Sequence, residues 1–500
     1  MRYIIGCDIG TSGTKTVLYN ENLEPLFQAL GEYTLHQPQN GWAEQNPKDW
    51  YDAVISTVKK VVEEAKVDSS DIKAIGLSGQ MHGLVMLDEN NNVLRPAIIW
   101  CDQRTGKECV EITQKIGASR LVEITANPAL TGFTASKIMW VKNNEPHIYR
   151  KCKHILLPKD YIRFMLTGEY ATDVSDASGM QLLDVPKRCW SKEVLNKLDI
   201  DESLLGSVYE SCEITGYITE KTASLTGLST NTAVVGGAGD NAAAAIGTGI
   251  VKEGRAFTTI GTSGVVYAHT DKPVIDPKGR VHTFCCGVKG KWHVMGVTQA
   301  AGSSLKWFKN TFGDTDYSLI NHMVKNSPIG ADRLIYLPYL MGERTPHLDE
   351  DCRGVLFGLS ASHSRGNIYR SVMEGVAFSL TDCKDILEEM AIEAKDMTAC
   401  GGGSESDIWM QILADCYNCD IKRLSSAQGP ALGVAILAGV GVGIFPDVVS
   451  ACDKFIKPAS ITKSQKENAE KYKKIHNLYK KLYLDLKEDF KLLGSSKKCY

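Results

Sequence analysis

The chain has 500 residues, room for two to four domains with a core each, and its 43% apolar and 23% charged content is that of an ordinary globular protein. Lys and Arg number 56 against 59 Asp and Glu, a net charge of −3, so no basic field exists to hold nucleic acid or another polyanion. The longest nearly apolar run, 431–445, is too short to span a bilayer and reads as a buried helix and turn, Asp8 comes too early for a secretory signal, and the 15 cysteines are an odd number, so the expectation is a cytoplasmic enzyme with free thiols.

The N-terminus reads as strand, turn, strand. Tyr3 to Asp8 is an apolar run, Ile9-Gly10-Thr11-Ser12-Gly13 is a Gly-rich turn, and Thr16 to Tyr19 continues extended. Such a turn lets backbone N–H groups converge on a phosphate where no Cβ obstructs them. It is not a P-loop, because the GxxxxGK[ST] spacing is absent and strand rather than helix follows. Asp8, at the strand end, is suited to hold Mg²⁺ directly or through water. Trp50 to Ala65 then has a helical apolar face at Val54, Val58, Val61 and Val62, and Ala74 to Leu77 reads as the next strand. Ser78-Gly79-Gln80-Met81-His82-Gly83 follows as a short exposed turn offering Gln80, Met81 and His82 to a polar ligand.

Val234 to Gly249 is rich in Gly and Ala, as expected where two bodies meet, and the domain boundary is placed here, giving domains 1–245 and 246–500. Asp240, inside this segment and followed by Asn241 and an Ala run, is either a helix N-cap or, at an interdomain seam, a base that accepts a proton from an attacking hydroxyl. Ile260-Gly261-Thr262-Ser263-Gly264 then repeats the first turn letter for letter, half a chain away, between strand-like Ala256 to Ile260 and Val265 to His269. The repeat predicts two related α/β halves gripping a nucleoside triphosphate between them. Thr259 stands where the first copy has Asp8, which predicts a metal on the first turn alone. A third turn, Gly401-Gly402-Gly403-Ser404, lies between strand-like Met397 to Cys400 and a helix starting near Ser406, and suits a nucleobase. Cys416 and Cys419 have CxxC spacing without the second pair or His cluster of a zinc site and read as core residues. Tyr472, Ile475, Leu478, Tyr479, Leu482, Leu486 and Phe490 fall at helical spacing as the packed face of a lysine-rich helix.

Together these residues resemble the FGGY carbohydrate kinases, and the likeness runs essentially end to end. Its two long signatures are recognisable at Gly132 to Asn144 and Gly354 to Leu380, beside Gln80 to Gly83, Gly239 to Ala242 and Tyr339 to His347. The resemblance implies two ribonuclease H-like, actin-type ATPase domains with the active site in the cleft between them. It implies ATP and Mg²⁺, Asp240 as catalytic base, and Asp8 as the carboxylate associated with Mg²⁺ and phosphate. Met81 and His82 match the sugar-binding pair, with Gln80, Asn241 and Asp102 as further sugar contacts. Thr11 and Ser12 match the first phosphate segment, Gly261 and Thr262 the second, and Gly402 with Ser406 the adenosine segment. The implied reaction phosphorylates the 5-hydroxyl of D-xylulose; a homodimer is expected by analogy alone. Two rivals stay open at this point: a kinase for ribulose, ribitol, fuculose or gluconate, and a nucleotide-gated actin-like binding protein.

Overall fold

The computed structural model describes residues 1–314, 316–424 and 429–495. Two mixed seven-stranded sheets carry the architecture, one in each half. The first contains β1 (Tyr3–Ile9), β2 (Gly13–Asn20), β3 (Pro25–Glu32), β4 (Ile72–Gly79), β5 (Ile214–Tyr217), β6 (Ala233–Val235) and β7 (Ala238–Gly239). Along the sheet the order is β5-β6-β4-β1-β2-β3, with β7 also paired to β4. The second contains β8 (Gly254–Ile260), β9 (Gly264–Thr270), β10 (His282–Cys285), β11 (Trp292–Thr298), β12 (Ala394–Cys400), β13 (Ile421–Leu424) and β14 (Pro458–Thr462), in the order β10-β11-β9-β8-β12-β13-β14.

The two sheets share one plan. Each opens with an antiparallel hairpin, β1/β2 or β8/β9, and its first strand pairs on the other side, in parallel, with a strand that arrives much later, β4 or β12. The repeated turn is therefore the visible trace of a repeated domain. The fold is two α/β domains of the actin-like ATPase type.

The helices used below are α1 (Pro47–Ala65), α2 (Pro158–Thr167), α3 (Asp240–Gly247), α4 (Arg365–Glu389), α5 (Asp407–Tyr417), α6 (Gly429–Gly441) and α7 (Lys466–Ser495). Helix α1 starts three residues before the expected Trp50 because Asn46 caps the Lys48 N–H and Pro47 sits at the first helical position; its valine face is buried as read from the sequence. Helix α6 is the apolar run of the sequence, and it is buried between the first sheet and α3. Its crossing with α3 needs glycine: a Cβ on Gly433 would lie 1.9 Å from the Ala243 carbonyl oxygen. A helix from the second half thus packs under the first sheet, and among the described residues no helix is long and apolar enough to cross a membrane.

Two expectations are corrected. The Gln80–Gly83 turn is not exposed: Gln80 and Met81 are buried, since the turn sits at the end of a central strand with other segments packed over it. On α7, Leu478 is 43% exposed, while His476 and Tyr483 join Tyr472, Tyr479, Leu482 and Phe490 in the buried face; the face follows the 3.6-residue period and Leu478 falls beside it. The fourteen described cysteines are free thiols, and Cys416 and Cys419 pack against the core of the second domain.

Candidate functional site

Three adjacent strand ends form one rim of the first sheet. Asp8 and Ile9 of β1 lie beside Ser78 and Gly79 of β4, which in turn lie beside Ala238 and Gly239 of β7, all in parallel register. With strands spaced about 4.8 Å apart, Asp8 and the β7 end stand roughly 10 Å from one another on the same rim, at the carboxyl ends of parallel strands. Asp240 follows directly as the first residue of α3, so two carboxylates share one rim with the small residue Gly79 between their strands. The capping alternative does not hold, since Gly239 is the N-cap and the Asp240 side chain caps nothing beyond its neighbour.

Both carboxyls are perturbed in one direction. Burial, with the charge of Asp8 adding to it, pushes Asp240 up to about 7, while the N–H and side-chain amide of Asn241, donated at 2.7 and 3.0 Å to Oδ1, work the other way. Burial likewise raises Asp8 to about 6, opposed first by the adjacent Ser78 hydroxyl and then by the charge of Lys15, its cross-strand partner on β2. Asp8 Oδ1 and Ser78 Oγ are buried and make no well-formed hydrogen bond, although the Ser78 hydroxyl lies close enough to Asp8 to favour its ionised form. An orphaned carboxylate oxygen beside a phosphate turn is the donor a hard cation takes, so the residues present fit Mg²⁺ at Asp8.

The turns supply the remaining contacts. In the first, the Gly10 N–H closes on the Gly13 carbonyl at 3.0 Å, and in the second the Gly261 N–H closes on the Ser263 carbonyl at 3.1 Å. Among the described residues the N–H groups of Thr11, Ser12, Thr262 and Ser263 find no acceptor in the chain, so each turn presents two adjacent donors, as an anion requires. The Thr11 hydroxyl is already engaged by the Trp100 indole at 2.9 Å, and its carbonyl by Gln45 at 2.7 Å. The third turn lies against the second because β8 and β12 are paired neighbours. Between them opens a cavity of about 790 Å³ lined by Gly261, Thr262, Tyr317, Asn321, Gly402 and Ser406. Ser406 spends its hydroxyl on Asn321 Oδ1 at 2.8 Å and on the Trp409 N–H as N-cap of α5, so it shapes this wall more than it offers a free donor.

On the other side of Asp240 lies the Gln80–Gly83 turn. Met81 packs on Gly239, where any Cβ would meet its Cγ at 2.9 Å. His82 Nδ1 is 2.8 Å from the Gly179 carbonyl, and burial with the nearby Lys137 charge lowers the ring to about 3, so it is neutral, its Nδ1 proton on Gly179 and its Nε2 an acceptor. Gln80 donates to Gln45 Oε1 at 2.8 Å, tying this turn to the first Gly-rich turn, and its own Oε1 is left unpartnered. Asp102 is wholly buried, accepting from the Ala43 N–H at 2.6 Å and from Arg104, whose guanidinium is held against the Trp42 ring at 3.6 Å.

Sequence reading missed what lies behind Asp240. Lys159 and Asp160 at the start of α2, Arg163, Asp173 and Asp176 are all buried, with Lys159 Nζ 2.6 Å from Asp160, 3.0 Å from Asp173 and 3.6 Å from Asp176. Asp173 accepts from Ser175 Oγ at 2.6 Å, and Ser175 Oγ accepts the Gly239 N–H at 3.1 Å, so this charged knot holds the backbone that presents Asp240. Its only sequence signal was a Lys-Asp pair inside an apolar stretch.

Family models for the FGGY family of carbohydrate kinases match the chain twice, the N-terminal domain over residues 3–247 and the C-terminal domain over 256–442. The chain belongs to the FGGY family. Among its relatives, the xylulose kinase of Bacillus subtilis is 41% identical over 489 residues, covering 98% of each chain. Two solved structures of FGGY type superpose closely: a ligand-bound xylulose kinase from Lactobacillus acidophilus, 27% identical with TM-score 0.93 over 99% of this chain and 100% of that one, and a gluconate kinase from the same species, 28% identical with TM-score 0.92 over 97% and 98%. Backbone similarity at this level does not separate the sugars.

Proposed function

We propose that this FGGY kinase transfers the γ-phosphoryl group of ATP to the 5-hydroxyl of D-xylulose, giving ADP and D-xylulose 5-phosphate. The observation that carries the reading is the pair Asp8 and Asp240 on one cleft rim, between a sugar-side turn and two phosphate turns, in a chain 41% identical to a xylulose kinase end to end. Asp240, raised to about 7, is poised to accept the hydroxyl proton at neutral pH. Asn241 clasps its Oδ1 and leaves Oδ2 for the substrate. His82 and Met81 hold the sugar, with Gln80 fixing their turn and Asp102 acting at one remove by bracing Arg104. The free N–H groups at Thr11, Ser12 and Thr262 receive phosphate oxygens, and Gly402 and Ser406 wall the adenosine cavity. Mg²⁺ bound at Asp8 supplies the positive charge that offsets charge on the transferring group. Closure of residues 1–245 on 246–500 would exclude water as a competing acceptor. The same proposal places the enzyme in the cytoplasm with only small molecules as partners and as a homodimer, which light-scattering mass in solution decides.

The test is ADP release with MgATP against D-xylulose, D-ribulose, L-fuculose, glycerol, gluconate and no sugar. Preference for xylulose is expected. Turnover that needs no sugar would refute the kinase reading, and preference for another sugar would refute the substrate assignment.

A further inference from the structure

The second domain carries one half-buried cation, Arg344, that no side chain among the described residues pairs with and that only the neighbouring Glu343 carboxyl opposes through space. Arg344 is half-buried, yet among the described residues its guanidinium has neither a hydrogen bond nor an ion pair. The other arginines drawn into the interior are paired: Arg95 and Arg104 with Glu44, Arg163 with Asp160, Arg188 with Glu210, Arg370 with Glu374. An unpaired guanidinium withdrawn from water is costly unless a ligand supplies the acceptor.

Its backbone is fixed from both sides. The Arg344 N–H donates to Glu343 Oε1 at 2.8 Å, which also accepts from the Gln299 N–H at 2.8 Å. Thr345 donates its N–H to the Val297 carbonyl at 3.0 Å and its hydroxyl to the Arg280 carbonyl at 2.7 Å. That seats the residue next to the start of β10, whose His282 ring lies 5.8 Å from Phe133, itself 4.8 Å from His82. The field agrees with this placement: burial lowers both His82 and His282 and the charge of Arg344 adds to it, behind that of Lys137 at His82, whereas Asp240 responds to burial and Asp8. Arg344 therefore stands on the His82 side of the sugar, away from the base.

The substrate of the proposed reaction has a matching acceptor there. In a 2-ketopentose the 5-hydroxyl is the group that closes the furanose ring on C2, so a 5-hydroxyl free to attack phosphorus belongs to the open-chain form, whose C2 carbonyl is exposed. A guanidinium has donors only, and a carbonyl oxygen is an acceptor only.

Resting on the function proposed above, we infer that Arg344 reaches across the cleft to donate to the C2 carbonyl end of the open-chain ketose, and that this contact selects ketoses over the polyols of the same carbon skeleton. Arg344 is a substrate-binding residue of the second domain, so sugar recognition is shared between the two domains and is complete only when both face the substrate.

The experiment measures sugar binding by titration calorimetry without nucleotide, and steady-state kinetics, for wild type, Arg344→Met and Arg344→Lys. Loss of a hydrogen bond to a charged group predicts a rise of about 10- to 100-fold in Kd and KM for D-xylulose in Arg344→Met, with KM for ATP unchanged and Kd for xylitol and D-arabitol unchanged. Arg344→Lys, which keeps stem and charge but loses the planar fork, is expected to fall between, and decides the matter if Arg344→Met does not fold. Unaltered xylulose affinity, an effect on ATP instead, or equal losses for ketose and polyols would each overturn the inference. A wild-type enzyme that fails to phosphorylate D-xylulose would overturn the functional reading instead, which separates the two failures.

Discussion

Replacing Asp240 by Asn separates the chemistry of the base from its effect on the fold. The amide keeps the shape and the contact with Asn241 but accepts no proton, so kcat on D-xylulose is expected to fall by about 10² to 10⁴, or roughly 3–5 kcal/mol of barrier. Stability moves the other way. Burial raises the carboxyl from its ordinary 3.8 to about 7, so ionised Asp240 opposes folding. A group with a raised folded pKa favours the fold at acid pH and loses that contribution as pH rises through the folded value. Above pH 7, therefore, wild type carries a penalty that the Asn variant lacks. The full shift corresponds to about 4 kcal/mol, an upper bound because Asp240 keeps some exposure, and half of it, about 2 kcal/mol, would be some 4–8 °C in Tm for a domain of this size. Calorimetry at pH 8 and pH 4.5, with initial rates at pH 8, tests both parts: a variant slower by at least a hundredfold, more stable at pH 8, with that stability difference narrowed at pH 4.5. Near-normal turnover, or inactivity accompanied by a lower Tm at pH 8, would refute the assignment.

Asp8→Asn removes the donor proposed for Mg²⁺ and the charge that helps raise Asp240, so the Mg²⁺ concentration for half-maximal rate is expected to rise while the acid limb of the residual kcat/KM profile moves to lower pH; a profile unmoved from about 7 would show that the two carboxyls do not sense each other. Wild-type kcat/KM itself should fall as pH drops through about 7, and no second limb should arise from His82, which burial holds neutral down to about 3. Gly433→Val places a Cβ 1.9 Å from the Ala243 carbonyl and is expected to cost at least 1–3 kcal/mol and displace α3, read as a lower Tm together with lost activity. Lys159→Met strands three buried carboxyls beside Arg163 and is expected to destabilise by about 3–5 kcal/mol in urea unfolding, whereas Asp176→Asn, which removes the carboxyl left without a hydrogen-bond partner, is expected to be mild.

What was legible in the sequence is what the backbone itself dictates. Two phosphate turns need small residues at fixed places, so Ile9 to Gly13 and Ile260 to Gly264 match letter for letter, and the matching sheet orders confirm the duplication they announced. The Val face of α1 and the apolar run of α6 were legible because one period, or unbroken hydrophobicity, survives in a single segment. Exposure was not: the Gln80–Gly83 turn has the composition of a surface loop, and only packing of distant elements over the strand end buries it.

Partnership was the least legible property of all. Asp102 and Arg344 are each one charged residue in a polar motif, indistinguishable by composition. In the fold Asp102 is consumed by Arg104 and the Ala43 N–H, while Arg344, with its neighbours on both sides pinned, is left with donors and no acceptor. A motif shows that a charge is wanted at a place; only the count of its partners shows whether the fold or the ligand wants it. By that count Asp102 is spent within the fold, whereas Asp8 and Arg344 keep unmet hydrogen-bonding capacity, which is why the proposals assign the one to a cation and the other to the substrate.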